Sequence, residues 1–244
     1  AHMDHIAFIV TDIDEKGFLR VHNAGGVPAS TSVNRHVAFE NGAQGLVALE
    51  EEDDPKARPT MRSLYIDIGA ASREEAEKLV RIGDAAVYAP DTFALSGRRI
   101  SAPAMDNRAG CAVLVKLIQE IADCPHHLIC AFTAQEEVGL RGARAAAYAA
   151  DPEVGLAFDV TACGDAPEAK GLNMKLGGGA AIKIMDASLI AHPGVVRKLE
   201  EAALRCGAKH QREVLPYGGT DAGAMQITRG GVPAGVVSIP CRYV

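Results

Sequence analysis

The stretch LICAFTAQEEVGLRGARAAAYAA, residues 128–150, changes character twice within a short span. LICAFT (128–133) is a continuous apolar run, the pattern of a strand covered on both faces. It gives way to Gln135, Glu136 and Glu137, and then to an alanine-rich segment that predicts a helix over about 138–150. Strand, carboxylates, helix is the order of an α/β unit with acidic groups at the carboxyl end of a strand. Ligands of open α/β sheets bind at such strand ends.

The surrounding sequence repeats the alternation. Residues 107–122 place Cys111, Leu114, Ile118 and Ile121 on one helical stripe. LAFDV (156–160) and GVVSI (235–239) read as buried strands. Between them a helix starts near Pro193, carries Val195, Leu199, Ala202 and Cys206 on one face, and stops at Gly207. The fold class is therefore α/β, with a predominantly parallel sheet flanked by helices. Residues 11–92 differ. HIAFIV (5–10), GFLRV (17–21) and GLVALE (45–50) are short strand-like runs separated by the turn signals DEKG, NAGG and ENG. Ser72 and Glu75 form a capping box for a short helix over 72–83, and the acidic run 50–54 reads as a solvated loop.

Bulk properties narrow the function. The chain has 244 residues, 48% of them hydrophobic, and a formal net charge of −6. No run of Lys and Arg could track a phosphate backbone, which excludes nucleic acid as a partner. No apolar stretch has the length of a membrane span, and no signal peptide opens the chain. The six cysteines, Cys111, Cys124, Cys130, Cys163, Cys206 and Cys241, include no CxxC pair. In a chain this long they read as reduced core residues, which implies a cytoplasmic setting.

Carboxylates gather at element ends. Asp106 precedes a helix, Glu136 and Glu137 follow the strand 128–133, and Asp159 lies near the end of LAFDV. Each alone has a structural explanation, as helix cap, first-turn acid or turn residue. Together they would repel one another unless a cation or protons held them. The start of the chain, AHMD, has two readings: a vector remnant, or His2 as a metal ligand with Asp4 orienting it. On these four residues alone the vector remnant is the safer reading, and the choice stays open. Neighbouring glutamates project differently, so one can ligate while the other takes a proton from water on the metal. Imidazole and carboxylates suit Zn²⁺ or Co²⁺.

In this order AHMD, DNRAGCAVLV, TAQEEVGLRGA, DVT, YGGTDAGA and IPCRYV resemble the tetrahedral (TET) aminopeptidases, cytosolic di-metal peptidases of bacteria and archaea of glutamyl or leucyl type. Some relatives carry the label endoglucanase. The resemblance implies a zinc-peptidase-like catalytic domain over 1–10 and 93–244, and a β-rich dimerisation domain over 11–92 whose dimers assemble into a dodecamer. It implies that His2 and Asp159 hold one metal, Glu137 the other, and Asp106 both, across a cis Asp106–Asn107 peptide. Glu136 would be the general base, Asp4 the orienting carboxylate, and Gly219, Thr220 and Asp221 would border a short peptide substrate. Two divalent ions, zinc or cobalt with manganese also accepted, are implied.

The sequence departs from the family in two places. His5 stands where the family has an acid; three residues from His2 along a strand, it reads as non-ligating. The family places a metal-binding histidine directly after RYV, and here the chain ends at Val244, so the second site reads as incomplete and the chain as truncated at both ends. The expected function is metal-dependent removal of amino-terminal residues from short peptides. A glycoside hydrolase using Glu136 is the alternative, weakened by the absence of Trp and by the adjacency of Glu136 and Glu137. A catalytically incomplete subunit is the third reading.

Overall fold

The turn-rich first hundred residues form strands too short to bury a face alone, and closure solves that problem. A computed structural model describes residues 1–51, 57–122, 124–167, 169 and 171–244. The described residues fall into two units, Ile6–Pro103 and the combination of Ala1–His5 with Ala104–Val244. In the first, β1 (Ala7–Ile13), β2 (Leu19–Ala24), β3 (His36–Phe39), β4 (Gln44–Leu49), β5 (Leu64–Asp67) and β6 (Ala85–Tyr88) close into an antiparallel barrel in the order β1-β2-β5-β4-β3-β6. Alternate residues, among them Phe8, Val10, Leu19, Val37, Val47 and Ile66, fill its interior.

Among the described residues this unit also holds two short helices, α1 (Ala29–Ser32) and α2 (Arg73–Glu77), a 3-10 turn over Met61–Ser63, and a hairpin of β7 (Phe93–Leu95) and β8 (Arg99–Ser101). Helix α2 is shorter than the segment read from the sequence. Ser72 caps it by accepting the Glu75 N–H at 3.3 Å, while the Glu75 carboxylate accepts the N–H of Ala71, one residue upstream of a regular capping box. The unit begins at Ile6 rather than near residue 11, because β1 pairs with β2 and β6. Residues 52–54 of the acidic run lie outside the described residues.

The second unit is built on a four-stranded sheet of β9 (Gly155–Ala162), β10 (Ala180–Met185), β11 (His210–Val214) and β12 (Ala234–Cys241), in the order β11-β10-β12-β9. Two pairings are parallel and β10–β12 is antiparallel, so the sheet is mixed where the sequence pattern suggested a predominantly parallel one. Among the described residues four helices belong to this unit: α3 (Met105–Glu120), α4 (Arg141–Ala150), α5 (Pro193–Arg205) and α6 (Asp221–Gln226). His192 caps α5 by accepting the Gly194 N–H, a structural role.

Two expectations are corrected here. Residues 128–132 form no strand: among the described residues only Thr133 finds a ladder partner, His2, and Leu128 and Ile129 are about half exposed. An apolar run supplies strand propensity but cannot supply the neighbour that pairs with it. The α3 stripe is likewise only partly buried. Leu114 is inside, whereas Ile118 and Ile121 face solvent.

Candidate metal centre

The site is assembled from four separate places in the second unit. His2 is brought in by the bridge to Thr133, in which the Met3 N–H donates to Thr133 O at 2.8 Å and the Thr133 N–H to Ala1 O at 3.0 Å. Asp106 sits at a kink before the regular part of α3, followed by a cis Asp106–Asn107 peptide. Asn107 is fully buried; its amide donates to Phe158 O on β9 at 2.8 Å and accepts the Gly110 N–H at 3.0 Å. Gly110 is required at this crossing, since a Cβ there would lie 2.2 Å from Asn107 Oδ1 and 2.6 Å from Phe158 O. Glu136 and Glu137 occupy the turn before α4, and Asp159 projects from β9.

These side chains converge on one imidazole. His2 Nε2 lies 3.1 Å from Asp106 Oδ1, 3.6 Å from Asp159 Oδ1 and 3.8 Å from Glu136 Oε2. Among the described residues, two groups have ligand atoms close enough to share an ion: His2, Asp106 and Glu137, and His2, Glu136 and Asp159. His5 is in neither. Asp4 faces His2 Nδ1 through its carbonyl oxygen at 3.1 Å and through its carboxylate at 3.5 Å. The same carboxylate accepts the backbone N–H groups of Glu136 and Glu137. Ala104, Gln135 and Leu140, which flank these ligand-bearing turns, all have positive φ without being glycine, the kind of strain that concentrates at functional sites.

The electrostatics fit a cation. Burial pushes Glu136 up to about 8 and Glu137 up to about 7, with neighbouring carboxylates adding to the shift. Asp159 is raised for the same reasons. Burial alone would lower His2, but Asp106, Asp159 and Glu136 outweigh it and push the imidazole up to about 11. Among the described residues the buried Asp106 Oδ1 has no partner other than the His2 imidazole, which lies 3.1 Å away and is pushed up by the carboxylates around it. A divalent ion would take the place of the imidazole proton, and imidazole with carboxylates is a ligand set suited to one.

Residues 1–244 match the family model described as M42 glutamyl aminopeptidase. The chain belongs to this family. It is similar to the lysyl aminopeptidase of Pyrococcus furiosus, 36% identical over all of this chain and 73% of that protein. It also resembles the TET1 peptidase of Pyrococcus horikoshii, which can assemble into a tetrahedron or a large octahedral shell. There the TM-score is 0.85 and identity 34%, over all of this chain and 74% of that one. A structure described as an endoglucanase, from Thermotoga maritima, superposes with a TM-score of 0.80 at 27% identity over all of this chain and 70% of that one. Membership of the M42 family makes the chain a peptidase, and its activity that of a metal-dependent aminopeptidase.

For this M42 aminopeptidase, Gly219, Thr220 and Asp221 lie at the start of α6. Asp221 accepts the hydroxyl of Thr133 and adds to the charge felt by Glu136. Thr133, which ties His2 to Asp221, has no functional signal in the sequence. As the polar end of an apolar run it looked like a strand terminus, and nothing in the sequence marks which hydroxyl will meet a carboxylate from 88 residues away.

Proposed function

We propose that His2 and Asp159 hold one divalent ion, Glu137 a second, and Asp106 both, with Glu136 free as general base for the hydrolysis of amino-terminal residues from short peptides. The observation that carries this reading is the convergence of Asp106, Glu136 and Asp159 on the His2 imidazole within 3.8 Å, with Glu137 in the adjoining group. Bound zinc or cobalt would supply a Lewis acid for the scissile carbonyl and an acidified water. The protein does the rest. Burial and its acidic neighbours raise the proton affinity of Glu136, and with cations offsetting the charge of those neighbours it would take a proton from water and return it to the leaving amine. Asp4 fixes the rotation of His2 and the turn carrying both glutamates. Gly219, Thr220 and Asp221 border the substrate.

The barrel unit would serve dimerisation, and dimers would assemble into a dodecamer, in keeping with the shells formed by the P. horikoshii relative. The six cysteines are unpaired, but only Cys163 is buried while Cys124 and Cys206 are exposed, so they are not core residues as a set; free thiols suit a cytoplasmic setting. The decisive experiment follows free amino acids released from short peptides. Activity is expected to vanish on exhaustive chelation and to return with zinc or cobalt. Hydrolysis that survives metal removal refutes the reading.

A further inference from the structure

A lysine is buried in the sheet that carries Asp159. Lys183, on β10, is 1% exposed, and its ammonium lies 2.7 Å from Glu213 Oε1 and 3.6 Å from Asp186 Oδ2. The register places the group on one side of the sheet: Asp159 stands opposite Ser238, Ser238 opposite Ala181, and Lys183 opposite Glu213. Residues two apart on a strand share a face, so Asp159, Ser238, Lys183 and Glu213 point the same way. Thr161, two residues beyond Asp159, donates to Glu213 Oε1 at 2.8 Å.

From Asp186 the network leaves the sheet. Asp186 Oδ1 accepts the N–H and the hydroxyl of Ser188, each at 2.8 Å, and Oδ2 accepts the hydroxyl of Thr220 at 3.2 Å. Ser188 Oγ in turn accepts the Thr220 N–H at 3.3 Å. Gly219 and Gly223 pack so closely on Ser188 that a Cβ would lie 3.1 Å and 2.3 Å from its Oγ. The following residue, Asp221, accepts the hydroxyl of Thr133, the partner of His2.

Stability does not account for such an arrangement. Buried ion clusters contribute little net stability compared with apolar side chains of the same volume. Here Glu213 Oε2 and Asp221 Oδ1 are, in addition, buried without hydrogen-bond partners. What the cluster does accomplish is to fix a turn rich in glycine, which would otherwise have many shapes.

We infer that Lys183 is a positioning residue for peptide hydrolysis: through Asp186 and Ser188 it holds Gly219, Thr220 and Asp221 in the one shape that receives the substrate's amino-terminal residue. This rests on the reading above that the Gly219–Asp221 turn borders the substrate. Removing Lys183 leaves two carboxylates unpaired and endangers folding, so the test centres on the far end of the network, with steady-state hydrolysis of tri-leucine and metal content measured together. Ser188→Ala and Thr220→Val each raise KM about tenfold, the size of one lost hydrogen bond to a charged group, with kcat within about threefold. Metal content stays at the parent's value, and the kinetics are read below the melting temperature of each variant, which falls because a donor to the buried Asp186 is lost. The double variant falls well short of the product of the single effects, because both act through one carboxylate. Lys183→Met raises KM similarly, and Lys183→Arg recovers most of it. Unchanged KM in these variants, multiplicative effects in the double variant, or a loss of metal that accounts for the change overturns the inference. Parent activity that survives chelation sinks the metal reading instead, without altering these KM ratios, so the two failures are distinguishable.

Discussion

Asp4 and Glu136 stand 132 residues apart in the chain, yet Asp4 Oδ1 accepts the Glu136 backbone N–H at 3.2 Å. Its second oxygen accepts the Glu137 N–H at 3.3 Å. One carboxylate thus sets the turn of both glutamates while also facing the His2 ring. Asp4→Asn replaces one acceptor oxygen with a donor, so it cannot serve both N–H groups. We expect kcat/KM for a short peptide to fall roughly 10–100-fold, the usual effect of losing a partner that orients a metal ligand. Circular dichroism should show an intact fold. A variant with parental kinetics would mean that the turn holds itself.

The paired glutamates should separate cleanly. Glu136→Gln keeps shape and removes basicity, so kcat should fall by about 10²–10⁴ while bound metal is retained. Glu137→Gln should instead weaken one of the metals, visible as lower stoichiometry by elemental analysis and partial recovery of activity at high zinc or cobalt. Identical metal content and identical losses in both variants would contradict the division of labour.

In the metal-free protein the site should weaken the fold as pH rises. Glu136 is raised from its ordinary 4.5 to about 8 and Glu137 to about 7. Their contribution is therefore fully present below about 4.5, where both are protonated, and is lost as pH climbs through 7 and 8. His2, raised from 6.5 to about 11, works in the same direction at higher pH. A bound cation replaces the protons and favours ionised carboxylates. The melting temperature of chelator-treated protein should fall across this window, and the stabilisation on adding metal should widen with it. Thermal scans at several pH values, with and without chelator, measure both.

How far the sequence could be read depends on range. Local patterns were legible: the stripe ending at Gly207 became α5, LAFDV became part of β9, and the ordered carboxylates Asp106, Glu136, Glu137 and Asp159 do meet His2. Partnership was not legible. The run 128–133 has strand propensity, but only Thr133 is bridged, and β10 pairs antiparallel to β12 although neither segment carries a mark of direction. The Lys183–Glu213–Asp186 cluster escaped for the same reason. A lone lysine in AAIKIM reads as the solvent side of a strand until the register brings Glu213 beside it.

Gly110 couples packing to the site. Its missing side chain lets α3 approach β9, and the Asn107 amide bridges the two, donating to Phe158 O and accepting the Gly110 N–H. Asn107 directly follows Asp106, so whatever moves the amide moves the carboxylate that faces His2 at 3.1 Å. In Gly110→Ala the added methyl would meet Asn107 Oδ1 at 2.2 Å and Phe158 O at 2.6 Å, both held by neighbouring structure rather than free to swing away. Overpacking of this kind costs about 1–3 kcal/mol. We expect a corresponding drop in the denaturation midpoint, and a loss of peptide hydrolysis larger than that instability explains under conditions where the variant stays folded. Parental metal affinity and kinetics in folded Gly110→Ala would show that Asp106 is positioned independently of the α3–β9 crossing.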